Sequence, residues 1–335
     1  MVKAKKKVLI ITHVYGTFVK RDVAILRKKY DVKCHTYSGE KDIFSNFLGQ
    51  IKLFFWLLRH IGSSYAVYIW FADYHAFLPV LFARIFGKRS FMVEGGYDTV
   101  AIPELKYGSH VNPLRSKMSI YAMQHVGLNL PVSETLSPEI KTWAPGANIE
   151  HLYTGLDHTQ FFPKGKKDKM VLTVAGKISS QRAKIKGVDW FVGVAREFPE
   201  LSFVIIGSGT GVKTVLEPLP DNVTITGKLP NEDLINYFQR AMIYAQFSIR
   251  EGLPTAVMEA MLCECVPVGF RAGGIPVAIG EAGVIVEKKD IKDIVVAMNK
   301  ALDKHEILGP KARERVIQTF PESKREKRLF EIMEK

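Results

Sequence analysis

Two series of short apolar runs, each alternating with stretches of helical periodicity, constrain the fold of this chain more than any other feature. Residues 7–12 (KVLIIT) form an apolar run that stops at a His-Val-Tyr-Gly-Thr loop. Residues 18–29 follow with Val19, Val23 and Leu26 near helical spacing, which reads as strand, loop, helix. The alternation continues through strands at 32–37, 66–71, 90–93 and 127–132 and helices at 47–58 and 77–86. After a charged segment at 163–169 (PKGKKDK) it starts again, with strands at 170–175, 202–206, 223–226, 243–245 and 266–269 and helices at 187–197, 231–240 and 255–262. Strands and helices alternating at these lengths predict an α/β fold of two doubly wound parallel-sheet (Rossmann-like) domains. The expected division is a first domain at 1–162, a linker at 163–169, a second domain at 170–310, and a charged helical end at 311–335 that packs back on the first domain. Two such domains facing each other would leave a cleft at the carboxyl ends of their strands, where open α/β sheets bind ligands.

A chain of 335 residues suits two domains, and 47% apolar with 24% charged residues is a globular balance. Three cysteines, Cys34, Cys263 and Cys265, are too few for a disulfide framework and fit a reducing cytoplasm. Cys263 and Cys265 lie in an apolar run with no second Cys or His pair nearby, which argues against zinc. The basic start, residues 1–7, precedes an apolar run too short for a signal peptide. The greasiest stretch, residues 47–58, is interrupted by Gln50 and Lys52 and falls short of the ~18 residues that a membrane span needs. The net charge of +13 points to an anionic partner: a phospholipid surface, a phosphorylated substrate or nucleic acid. The expected location is cytoplasmic, peripheral at the membrane face if the charge serves lipid.

The residues that carry chemistry cluster in the second series. Glu251-Gly-Leu-Pro-Thr-Ala-Val-Met-Glu259 sets two carboxylates eight positions apart, one ending a loop and the other on an early turn of a helix opened by Gly252 and Pro254. Ionised carboxylates accept from vicinal hydroxyls, so a sugar on one and a ribose on the other is chemically sensible. The first-turn amides of the same helix would face an anion such as a diphosphate. The plain alternative is one solvated loop glutamate and one surface helix glutamate. Upstream, Val174-Ala-Gly-Lys177 closes a strand and Lys186-Gly187 opens the next helix, and lysine is a point-charge phosphate ligand. Arg182, Lys184 and Lys186 read equally well as a solvated basic loop. Gly207-Ser-Gly209 is a tight turn at a strand end, which alone says little.

Together these residues resemble the family 4 (group 1) retaining glycosyltransferases, which have the two-domain GT-B fold. The resemblance spans most of the chain and is strongest over residues 152–287. Val174 to Lys177 with Lys186-Gly187 is similar to the family's phosphate pair, residues 204–209 (VIIGSG) to its nucleoside-binding turn, and Gly227-Lys228-Leu229-Pro230 to the segment that holds the base. Residues 248–269 resemble the long signature whose two glutamates have seven residues between them, Gly273-Gly-Ile-Pro276 the loop after it, and residues 152–163 (LYTGLDHTQFFP) the crossover into the second domain.

The resemblance implies that Glu251 meets the donor sugar, Glu259 the ribose, and Lys177 and Lys186 the departing diphosphate. Gly207, Gly209, Lys228, Leu229, Gly252, Leu253 and Thr255 complete the implied donor site, and Gly16 and Thr17 of the first domain would face the donor phosphates. Preorganised cations would stabilise charge developing on the leaving phosphate, and no metal or other cofactor is implied. The spacing from Lys177 to Lys186 is longer than is usual in the family, so Arg182 or Lys184 is an alternative phosphate ligand. Where many members present a histidine near Val93, this chain has Glu94-Gly-Gly-Tyr-Asp98. Asp98 is the candidate to touch donor or acceptor hydroxyls and Glu94 the alternative; their plain readings are a turn acceptor beside two glycines and a strand-end residue.

The function expected is therefore retaining transfer of a sugar from a nucleotide-diphosphate sugar to a glycan or lipid-linked acceptor. The same architecture serves nucleotide-sugar epimerases and glycan phosphorylases, because a fold does not fix a function. A basic nucleic-acid binder is the reading from another class, but the lysines are spread over the whole chain and no DNA- or RNA-binding motif is present, so no nucleic acid is expected. The helix at 47–58, with Phe54, Phe55 and Trp56 beside basic residues, could lie in a headgroup layer or pack between the first sheet and a neighbouring helix. Its continuous apolar stretch at 53–58 favours packing, which would leave charge alone to hold the protein to lipid.

Overall fold

The computed structural model describes residues 5–39, 42–209 and 218–335. The chain divides into two compact units, Met1–Thr154 with Arg325–Lys335 and Gly155–Lys324. In the first, strands β1 (Lys7–Thr12), β2 (Asp31–Thr36), β3 (Ala66–Trp70), β4 (Arg89–Val93) and β5 (Leu128–Asn129) form a parallel sheet in the order β2-β1-β3-β4-β5. β3 is buried at every position, as a parallel strand covered on both faces requires. The helices that connect and cover these strands are α1 (Thr17–Lys29), α2 (Ile43–His60), α3 (Phe77–Ile85), α4 (Pro113–His125) and α5 (Ser137–Trp143). α2 starts four residues earlier than its periodicity predicts because Asp42 and Ser45 form a capping box, each side chain accepting from the other's amide. The strand expected at 127–132 shrinks to Leu128–Asn129, although Leu130 and Val132 still donate to Met92 and Glu94 at and just beyond the end of β4.

This unit buries His75 beside His13, and the burial couples its stability to pH. His75 is fully buried, with Nε2 2.7 Å from the Trp70 carbonyl, and its ring lies 4.9 Å from that of His13. Burial lowers the His75 pKa from 6.5 to about 4, so protonating it opposes folding. Between those values the unfolded chain binds more protons than the native one, and stability present above pH 6.5 is lost as the pH falls to about 4. His75→Gln should therefore flatten the loss between pH 6.5 and 4 by on the order of 3 kcal/mol, read from denaturant unfolding at the two pH values. An unchanged pH slope would show that His75 is protonated in the folded protein.

In the second unit, strands β6 (Asp168–Lys177), β7 (Ser202–Ser208), β8 (Val223–Ile225), β9 (Ala241–Gln246), β10 (Val266–Phe270) and β11 (Val284–Val286) pair in parallel in the order β8-β7-β6-β9-β10-β11. The strand order reverses between β6 and β9, with β7 and β8 laid down on one side and β10 and β11 on the other, and such a switch point is where open sheets hold ligands. Its helices are α6 (Ser180–Lys186), α7 (Val188–Ala195), α8 (Asn231–Arg240), α9 (Thr255–Leu262), α10 (Ile275–Ile279), α11 (Ile291–Asp303) and α12 (His305–Thr319). The helix expected at 187–197 is α7, and a short helix not expected from the sequence, α6, precedes it and meets it at Gly187. Its φ of +64° breaks the spiral, and a Cβ there would lie 2.0 Å from the Phe247 carbonyl oxygen.

The segment at 163–169 is not a linker. Residues before and within it are tied to the second unit: Leu156 bonds Phe320 and Glu322, Gln239 donates to the Phe162 carbonyl, and Lys167 Nζ donates to the carbonyls of Phe238 (3.1 Å) and Cys263 (2.6 Å). The boundary therefore lies at Thr154/Gly155. At the other end, helix α13 (Glu322–Glu334) enters the first unit at Arg325, not at residue 311, and buries Arg325, Leu329, Phe330, Ile332 and Met333.

Candidate active site

At the switch point of the second sheet one predicted cation, Lys186, meets one predicted carboxylate, Glu251. Tyr244, Gln246 and Ser248 follow one another at intervals of two on and just beyond β9, so all three point to one face. The Val174 amide donates to the Tyr244 hydroxyl (3.2 Å), which donates to Gln246 Oε1 (3.2 Å). Gln246 Nε2 donates to Ser248 Oγ (2.5 Å) and to Glu251 Oε1 (3.0 Å), and Ser248 Oγ donates to the same carboxylate oxygen (2.7 Å). Lys186 Nζ completes the set with an ion pair to Glu251 Oε1 at 2.7 Å, the two side chains being 28% and 15% exposed. Glu251 is thus held by one cation and two neutral donors, in a chain in which each member has its partner. Of the four basic candidates, Lys186 is the one brought to Glu251, while Lys177, Arg182 and Lys184 have exposed side chains.

Glycines fix the backbone around this carboxylate. The Gly274 amide donates to the Glu251 carbonyl (3.0 Å); a Cβ on Gly273 would lie 2.1 Å from that oxygen, and one on Gly274 would lie 1.8 Å from the Gly252 carbonyl oxygen. Any larger residue would push the Glu251-Gly252 turn away. After Gly252, Leu253 and Pro254, all buried, α9 begins at Thr255 with no side-chain cap and no acidic residue in its first turn. Its first amides are left for an outside acceptor, where the helix dipole favours an anion. Glu259, half-buried, stands one turn further along. Burial raises the Tyr244 hydroxyl pKa, and the charges of both Glu251 and Glu259 add to the rise, so one hydroxyl senses both carboxylates.

The other predicted donor residues meet beside β6. Lys177 pairs in register with Ser208 at the strand ends, and the Ile178 amide donates to the Ser208 carbonyl (2.7 Å). A Cβ on Gly207 would lie 2.6 Å from the Gly176 carbonyl oxygen, and Gly209, at φ +152°, has the Ile178 carbonyl oxygen 2.0 Å from where its Cβ would be. Gly207 bridges Gly227, which carries exposed Lys228 and half-buried Leu229 alongside. Among the described residues no group of three or more His, Cys, Asp and Glu is placed to hold a metal ion.

The first-unit candidates separate. Gly16 caps α1 and Thr17 is its exposed first residue, at the carboxyl end of β1. Asp98 is fully buried, and its oxygens accept from the amides of Ala72 (3.1 Å), Gly95 (3.0 Å) and Gly96 (2.8 Å). Those bonds make it the organiser of its own turn, and burial raises its pKa to about 6. Glu94 is equally buried with no hydrogen-bond partner at either oxygen, and burial, reinforced by Asp98, holds its pKa well above the ordinary range. Tyr244, Gln246 and Ser248 escape a sequence reading that ends the strand at residue 245; the period-two placement of polar side chains in a buried strand is the signal that finds them.

Residues 158–321 match the family model described as glycosyl transferases group 1. The chain is similar to the phosphatidylinositol N-acetylglucosaminyltransferase of Homo sapiens in one of its component chains, 28% identical over 184 residues that cover 52% of this chain and 36% of that protein. The match thus spans little more than a third of that relative's length. Among solved structures, sucrose-phosphate synthase from Thermosynechococcus elongatus has a TM-score of 0.82 at 14% identity, covering 98% of both chains. Anabaena HepE in complex with UDP has a TM-score of 0.79 at 13% identity, covering 98% of this chain and 99% of that one. The likeness in fold extends over both units, and the likeness in sequence falls on the residues that hold Lys177, Lys186, Glu251 and Glu259. The second unit belongs to the group 1 glycosyl transferases, in a chain of GT-B fold.

Proposed function

We propose that the protein transfers a sugar from a nucleoside-diphosphate sugar to a glycan or lipid-linked acceptor hydroxyl, with retention at the anomeric carbon and without a metal. The observation that carries this reading is the triply held Glu251 directly before a helix whose first amides await an anion. In this reading the diphosphate lies against the first turn of α9 with Lys186 and Lys177 beside it. Glu251 accepts from sugar hydroxyls, and Glu259 accepts from the ribose. As the bond from the anomeric carbon to the diphosphate breaks, the electron pair leaves with the phosphate oxygen, and the lysine charges stabilise it more strongly than they did the ester. The acceptor oxygen forms the new bond, and its proton departs with the leaving phosphate. The human relative's name includes phosphatidylinositol and N-acetylglucosamine, which makes a lipid headgroup and that sugar the first acceptor and donor group to try.

Glu259→Ala should weaken nucleoside diphosphate binding by about ten- to a hundred-fold, the scale of losing hydrogen bonds to a charged group. Thermal shift with UDP, GDP, ADP and dTDP reads both the preferred base and the loss, because a ligand of the native state raises the melting temperature. A variant that keeps the parent's affinity for the preferred nucleotide would remove Glu259 from the ribose.

A further inference from the structure

Helix α2 has two apolar faces, and the described residues cover only one. Leu53 and Leu57 are fully buried in the first unit's core. On the other side Phe44, Phe47, Leu48, Ile51, Phe55 and Leu58 recur at intervals of three and four residues, with exposures from 37% for Ile51 to 70% for Phe44. The stripe continues onto the end of α3. Phe54, itself 38% exposed, meets the Phe82 ring edge-on at 5.4 Å, Phe82 stacks on exposed Phe86 at 6.0 Å, and Ile85 beside it is 67% exposed. A continuous apolar surface of this kind, left open on a folded unit, marks a docking face.

Charge identifies the occupant. From residue 43 to residue 93 the one acidic residue is Asp73, and its side chain is 3% exposed and paired with Arg115 at 3.1 Å. The same stretch contains Lys52, Arg59, Arg84, Lys88 and Arg89, the first three with exposed side chains. Exposed Asp42 caps the start of α2, and beyond that cap every exposed charge on the stretch is positive. Two copies of this face brought together would set cation against cation, and nucleic acid would leave the phenylalanines without an apolar partner. Aromatic and leucine side chains rimmed by cations fit the acyl boundary beneath anionic headgroups. No helix among the described residues is long and apolar enough to cross a membrane, so such a face would rest on the bilayer and not span it. We infer that the outer face of α2, with the end of α3, inserts into the headgroup layer of an anionic phospholipid bilayer. This goes beyond the donor chemistry, because it says where the protein works whatever sugar it moves.

Co-sedimentation of the full chain with vesicles of phosphatidylcholine plus phosphatidylglycerol, against phosphatidylcholine alone, tests the inference with no donor present. The parent should bind the anionic vesicles at low salt and keep part of that binding at high salt, since apolar insertion is not screened. A Phe47→Ser/Phe55→Ser variant should partition roughly a hundred-fold less, as two aromatic side chains stay in water. Both positions are over 60% exposed, so the variant should unfold at the parent's temperature. Lys52→Glu/Arg59→Glu should lower binding to the anionic vesicles selectively. Four results would overturn the inference: no binding to anionic vesicles, equal binding by the double phenylalanine variant, binding abolished by salt alone, or a lipid-free dimer that the phenylalanine variant dissociates.

Discussion

Lys186→Ala is expected to slow sugar transfer by about ten- to a thousand-fold, the range seen when one preorganised stabiliser of developing charge is removed. Lys186 is singled out because α6 ends on it, Gly187 anchors that end against Phe247, and its ammonium already lies 2.7 Å from Glu251. The cation is therefore in place before a donor arrives and needs no reorganisation during the reaction. Loss of a group that acts mainly in the transition state lowers kcat and kcat/KM together. Glu251→Ala should behave similarly, while leaving nucleoside diphosphate affinity nearer the parent's than Glu259→Ala does. Steady-state kinetics with the preferred donor checks both variants; a Lys186→Ala enzyme with full kcat would shift the phosphate role to Lys177, Arg182 or Lys184.

Asp22→Asn is expected to destabilise the first unit by about 3–5 kcal/mol, the usual cost of leaving one member of a buried ion pair without its partner. Arg325 enters this unit from the end of the chain and meets Asp22 through two bonds, Nε to Oδ1 at 2.7 Å and Nη2 to Oδ2 at 2.8 Å, with side chains 2% and 1% exposed. Tyr68 and Trp70 also donate to Asp22, and Arg325 Nη1 donates to the carbonyls of Leu152 and Tyr153. Every polar group of this cluster depends on the others, so one neutralisation strands several. Denaturant unfolding of the single variant, set against Asp22→Leu/Arg325→Met, separates the pair from its surroundings. The double variant should recover much of the loss, because an apolar pair of similar volume has no charge to desolvate. If the single variant lost less than about 1 kcal/mol, the arginine would have to be solvated in solution.

What could be read from the chain depended on whether the cause was local. Helices 231–240 and 255–262 were legible to the residue because Pro230 and Pro254 fix where they start. Lys177 was legible as the end of a strand, but Lys186 closes α6 rather than opening a helix, and its pairing with Glu251 across 65 residues has no sequence signature. α6 itself was not legible, because seven residues are too few for a period to show. The 163–169 segment has the composition of a linker, yet Lys167 finds acceptors 71 and 96 residues away, and composition carries no trace of such partners. Asp98 beside two glycines suits a ligand or a turn equally well, and the amides of Gly95 and Gly96 decide for the turn. Residues 53–58 looked buried because they are apolar all round; a sequence does not say which of two apolar faces is covered, and Phe55 and Leu58 lie on the open one. Asp22 and Arg325 are 303 positions apart and have no signature at either end.

A donor site for sugar transfer in the second unit shows itself in the fate of the donor's anomeric carbon. The full chain, incubated with the nucleotide sugar that gives the largest thermal shift and with an acceptor alcohol, should release nucleoside diphosphate in step with a new glycoside. NMR should show the donor's anomeric configuration kept in that product, and Lys186→Ala should slow both signals equally. Sugar recovered as an isomer of the donor, as sugar phosphate, or as a glycoside of inverted configuration would mean that the protein is not a retaining sugar transferase.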